Sequence, residues 1–233
     1  MDKEQNRRSA EMSEAYLTAL FLTLSGGFQD AYTYCFRGRV FANAQTGNIV
    51  LLSAHLLRGN WWDALHYLIP ISAFVAGTCF AEMIHSRFRR VRKLYWQQII
   101  LLIEILLLFA VGFIPVDNFA NALVSFVCAM QVQTFRRMQG NAYASTMCIG
   151  NLRSGTEMVC AYFRTRDKAL LRGALQYAGI IFVFAAGAGF GSVAALLWGA
   201  AAIWFSCAFL IVCFCLMFRS GADQGHINRR LER

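Results

Sequence analysis

The chain has 233 residues, 58% hydrophobic and 15% charged, with a formal net charge of +9. A soluble domain carries about 45–50% apolar and about 25% charged residues, so one large water-soluble core is excluded and a polytopic membrane protein is indicated. The positive charge does not mark nucleic-acid binding, because the basic residues fall between apolar blocks, where they orient a protein in a bilayer.

Residues 1–13 are charged, show no small-residue cleavage site before the first apolar run, and read as a cytosolic tail. A first span is predicted over 14–36, with Gly26-Gly27 allowing a kink or a close helix approach. The next apolar stretch, in 42–58, is short. From Thr46 to Leu57 a helix covers roughly 18 Å, against a hydrocarbon core of about 30 Å. Spans at 62–86 and 96–115 complete a first membrane repeat, 14–115. A second repeat, 118–218, holds spans at 118–138, 169–190 and 193–218. Its doubtful segment, 145–163, carries Arg153 and Glu157 in mid-segment, and each such charge costs about 2.5–3.5 kcal/mol at a helix centre. Residues 219–233 form a second cytosolic tail. The eight cysteines lie mostly in apolar runs without a CxxC pair, which reads as small lipid-compatible side chains, with no disulfide or metal site expected.

The basic residues decide what the two short segments do. If both cross, 12 lysines and arginines lie inside and 9 outside, with Arg153 uncounted. If both dip in and return, the basic cluster 87–93 moves inside and the division becomes 18 against 3. The positive-inside rule prefers the second arrangement. The expected fold is an all-α membrane protein with six transmembrane helices and two short re-entrant helices. Both termini are cytosolic. Thr46-Gly47-Asn48 and Ile149-Gly150-Asn151 align at an offset of 103, and the spans of the two halves then superimpose. Three spans per half make the halves antiparallel, an inverted three-span repeat of the kind that places a solute site near the midplane.

Polar groups at membrane depth are costly and need partners or a wet cavity. The candidate pathway residues are Asp30, Asn43, Gln45, Thr46, Gly47 and Asn48 in the first repeat, and Gln133, Thr146, Gly150, Asn151 and Arg153 in the second. The amides either line a pathway or only cap the re-entrant turns. Exposed N–H groups at the two short helix starts favour anions or carbonyl-type oxygens. Asp30 either binds a cation or proton or pairs with Arg37 or Arg153, and its repeat counterpart is Gln133. Arg153 either draws an anion in or pairs with Glu157 at i+4. Glu104, alone in the apolar 99–114 run, faces the interior and pairs with an arginine or takes a proton. No nucleophile elbow, phosphate loop or zinc spacing occurs, so no catalytic residue and no cofactor is expected.

The block 26-GGFQDAYTY-34 followed by 41-FANAQTGN-48, with a second Gly-Asn block after 129-AMQ-131, resembles the YoaK-like family of small bacterial membrane proteins of unknown function. The resemblance covers roughly 15–218 and implies a multi-pass protein of the bacterial cytoplasmic membrane. It brings no substrate and no site residue. The architecture itself points to a small-solute transporter or channel with a weak bias to an anionic or carboxylate solute. A membrane-embedded accessory or sensor protein is the alternative. The expected partners are the lipid bilayer, a small solute and, as an open alternative, a second copy of the chain.

Overall fold

The computed structural model describes residues 2–88, 93–135, 137–138, 141–142 and 148–231, with side chains at 16–88, 96–135 and 148–218. Among these residues eight α-helices carry the fold: α1 Asp2–Phe36, α2 Gln45–Leu57, α3 Trp61–Arg87, α4 Lys93–Val111, α5 Asp117–Thr134, α6 Cys148–Thr165, α7 Lys168–Trp198 and α8 Ile203–Leu231. Two strands, β1 Arg137–Met138 and β2 Asn141–Ala142, pair antiparallel between α5 and α6. The predicted tails 1–13 and 219–233 are largely helical, in keeping with the helix-forming Lys, Glu, Gln and Arg of the first. Residues 89–92, most of the basic cluster, lie outside the described residues.

The break between the last two spans falls later than expected. The expected spans 169–190 and 193–218 put the break near 191–192, yet α7 continues to Trp198. The glycines around that point serve packing. A Cβ on Gly187 would meet the carbonyl oxygen of Leu24, and one on Gly191 would lie 2.7 Å from that of Phe28, so α7 runs tight against α1. The chain turns instead at Gly199, whose φ of 54° suits a residue without a side chain, and a 3-10 turn, Gly199–Ala202, leads into α8. Similarly, Gly26-Gly27 leaves α1 unbroken, because Gly27 admits the Phe184 backbone of α7.

Four helices form a central ring in which α1 touches α8, α8 touches α4, α4 touches α5, and α5 returns to α1. Outside it, α3 packs along α5 and carries α2, while α7 packs along α1 and carries α6. Exchanging α1 with α5, α2 with α6, α3 with α7 and α4 with α8 maps this contact pattern onto itself. The core is the ring interior, built by Leu22, Phe28, Ile100, Leu108, Val124, Ile203 and Leu210.

Hydrogen bonds fix the directions of the helices. The Asn121 side chain near the start of α5 donates to the carbonyl of Arg37 just beyond the end of α1, so these counterparts run oppositely. His66 near the start of α3 bridges Gly38 and Asn118, at the same end of the molecule. Trp61–Arg87 and Lys168–Phe218 are long and apolar enough to cross a membrane, with mean hydropathies of 1.6 and 2.5. Their apolar side chains face outward, as at Phe182, 73% exposed, and Leu196, 80% exposed. α1 and α5 are less apolar because each turns a polar face into the ring.

The glycine contacts give an expectation of opposite signs. Gly77→Ala and Gly187→Ala each push a Cβ into a facing backbone carbonyl, of Phe126 and Leu24, and should cost about 1–3 kcal/mol or more. Gly150 has nothing within 4 Å of an added Cβ, so Gly150→Ala should gain up to about 1 kcal/mol of helix propensity. Unfolding of the detergent-solubilised variants checks both.

Candidate functional site: two helix starts around Asp30

Beyond α1 the chain folds back along it. The Asn43 side chain donates to the carbonyl of Gly26 at 3.0 Å, and its backbone N–H donates to Asp30 Oδ1 at 2.7 Å. Gly26 lies ten residues before the end of α1, roughly 15 Å along its axis. α2 then returns toward the end that α1 left. The carboxylate of Asp30 also takes backbone N–H bonds from Ala42 and Ala44. A negative group at a helix start satisfies otherwise orphaned donors and meets the positive end of the helix dipole. The turn into α2 therefore already surrounds a carboxyl group supplied by the chain.

The other amides of this turn close it from within. Asn48 accepts from the backbone N–H of Phe41 at 3.2 Å and donates to the Phe41 carbonyl at 2.7 Å and to Gln45 Oε1 at 2.9 Å. Gln45 donates to the carbonyl of Ala42 at 2.8 Å. Gly47 lies against the Phe41 ring and Thr46 is exposed. Asn48→Ala should leave the Phe41 backbone groups short of partners, costing about 1–3 kcal/mol, read as a lowered unfolding midpoint.

α6 repeats the plan. Asn48 is the buried residue of α2 and Asn151 that of α6, each the fourth residue of its helix. Cys148, the first residue of α6, lies within Coulombic reach of Asp30. Both short helices thus begin near one carboxylate. Thr146 lies outside the described residues, and Gly150 is exposed.

Two predicted members stand apart. Arg153 is 79% exposed and its Nε pairs with Glu157 at 2.9 Å. Gln133 donates to Glu82 Oε2 at 2.6 Å and does not repeat the role of Asp30. Neither Arg37 nor Arg153 pairs with Asp30. Arg37 is buried at the end of the ring, where its guanidinium donates to the Tyr32 hydroxyl at 2.9 Å, the Ile114 and Val111 carbonyls at 2.9 and 3.3 Å, and Asp117 at 3.1 Å. Tyr32 passes the link on to the carbonyl of Ala200.

Four further polar residues join the cluster. Gln29 donates to Ser25 and to Ser206, both at 2.9 Å, and accepts from the Cys128 thiol at 2.9 Å, joining α1, α8 and α5. Gln29 stands beside Asp30 in the Gly-Gly block, which is a sequence signal. Ser206 and Cys128 sit in apolar runs that give none. Glu104, fully buried on α4, lies within Coulombic reach of Cys128, as does Asp30.

Residues 18–216 match a family described as "Protein of unknown function (DUF1275)". The chain is also 25% identical over 176 residues to the UPF0700 transmembrane protein YoaK of Bacillus subtilis (strain 168), a match covering 72% of this chain and 78% of that protein. No solved structure matches the chain significantly. The helical fold, the outward apolar side chains and these matches agree on a transmembrane protein. The chain belongs to the DUF1275 family of unknown function, the YoaK-like group that its Gly-Asn blocks resemble.

Proposed function

We propose that the chain is a small-solute transporter of a bacterial cytoplasmic membrane, in which six helices cross and α2 and α6 are re-entrant. Both termini are cytosolic. The observation that carries this reading is the convergence of two helix starts, one from each repeat, on the buried Asp30. Antiparallel counterparts α1 and α5, and a contact pattern that survives exchange of the two halves, support an inverted repeat that rocks about its ring. The site presents the Asp30 carboxyl, and Arg153 stands outside it, paired with Glu157. The preference therefore moves from an anionic solute to one offering positive charge or hydrogen-bond donors.

A second reading, an accessory or sensor protein without a pathway, draws on the amides of Asn48 and Gln45, which bond to the turn itself. Uptake into proteoliposomes separates the two. A panel of amines, inorganic cations, neutral polar solutes and carboxylates should give flux for an amine, cation or neutral class. Flux of carboxylates alone would overturn the charge assignment. No flux above protein-free liposomes for any class would favour the accessory reading.

A further inference from the structure

Glu104 sits midway along α4, fully buried in the ring, and neither carboxyl oxygen has a hydrogen-bond partner among the described residues. The titratable groups that face it are thiols, Cys128 of α5 and Cys213 of α8. Among the described residues no cation acts on it. From α3, His85 packs against Trp96, roughly two turns nearer the start of α4. An ionised carboxylate without donors or counter-charge in such a place is costly, and the neutral acid avoids that cost.

Asp30 is the contrast. Its carboxylate receives backbone N–H groups from Ala42, Asn43 and Ala44, donors that Glu104 lacks. The Cys128 thiol lies within Coulombic reach of both acids and also meets the Asn43 side chain. Two acids thus stand beside a common neighbour, one supplied with donors and one without. Asn43 Oδ1 is buried and has no partner among the described residues, while the next residue, Ala44, is exposed. The turn that meets the thiol thus has an exposed residue next to it.

We propose that Glu104 is a proton-binding site that exchanges with water through the Cys128–Asn43 junction. On release the carboxyl O–H bond breaks, the proton passes to water at the turn, and a carboxylate remains on α4. The route rests on the pathway reading above. The presence of the proton on Glu104 does not.

Infrared spectroscopy of the full chain in liposomes at neutral pH, in H2O and in D2O, tests this without any solute. The expected result is a neutral-carboxyl C=O band that moves when glutamate is labelled with carbon-13. It should be absent in Glu104→Gln, retained in Asp30→Asn and shifted in D2O. A spectrum without a glutamate-derived neutral band overturns the proton site. A band that ignores D2O overturns the exchange route, and one lost in Asp30→Asn but kept in Glu104→Gln puts the proton on the wrong acid. The labelled wild-type chain reports on the proton site even if Glu104→Gln fails to fold. Because no solute is involved, a failure here is distinct from an absence of flux.

Discussion

Arg37→Ala should unfold in detergent with a loss of about 2–3 kcal/mol, the cost of removing a buried guanidinium that is hydrogen-bonded to a half-exposed Asp117 and to backbone carbonyls. The guanidinium is 2% exposed and holds the end of α1 against the α4–α5 turn through the Val111 and Ile114 carbonyls and Asp117. It also lies over the Tyr32 and Phe36 rings. Removing it takes a donor from the Ile114 carbonyl and breaks the link between Tyr32 and the α4–α5 turn. Arg37→Lys should recover only part of the loss, because an ammonium cannot reproduce the planar fork that reaches three acceptors together. The unfolding midpoints of wild type, Arg37→Lys and Arg37→Ala should fall in that order. Equal midpoints for the lysine variant and wild type would mean that charge alone matters at this position.

Asp30 should separate stability from transport. Asp30→Ala strips the acceptor from a turn whose Ala42, Asn43 and Ala44 N–H groups point at it, at about 1–3 kcal/mol for each orphaned donor. Asp30→Asn keeps one acceptor oxygen and nearly the same shape, so it should fold with a much smaller loss. If the charge serves the solute, Asp30→Asn should still lower flux at least about tenfold, a difference of about 1.4 kcal/mol in the transport step. A stable Asp30→Asn variant with wild-type flux would reduce Asp30 to a cap for α2. Flux and unfolding must therefore be measured on the same preparations.

The sequence disclosed the repeat because repetition shows itself in two ways. The Gly-Asn blocks align at an offset of 103, and that offset also relates the starts of α2 and α6 at Gln45 and Cys148. The short apolar stretch before Arg58 was legible from length alone. The late break at Gly199 was not, since the apolar run continues on both sides of it and carries no charge to mark a boundary. Only the contacts of Gly187 and Gly191 with α1 show what those earlier glycines serve. Asp30 was visible as a carboxylate in an apolar run. Its donors are backbone N–H groups 12 to 14 residues further on, which no side-chain pattern encodes. The Gln29–Ser206 bond joins residues 177 apart and needs the ring closed before it exists.

The central claim is that α2 leaves and re-enters by one face of the membrane, so that its start reaches Asp30 at depth. Single cysteines at Arg39→Cys and Asn60→Cys flank that excursion. In a chain whose native cysteines have been replaced, they can be labelled in intact cells with a membrane-impermeant maleimide. Both should label from outside, and a cysteine at Val91→Cys should label only after the membrane is opened. Labelling of positions 39 and 60 from opposite faces would make α2 a crossing helix and would contradict the account.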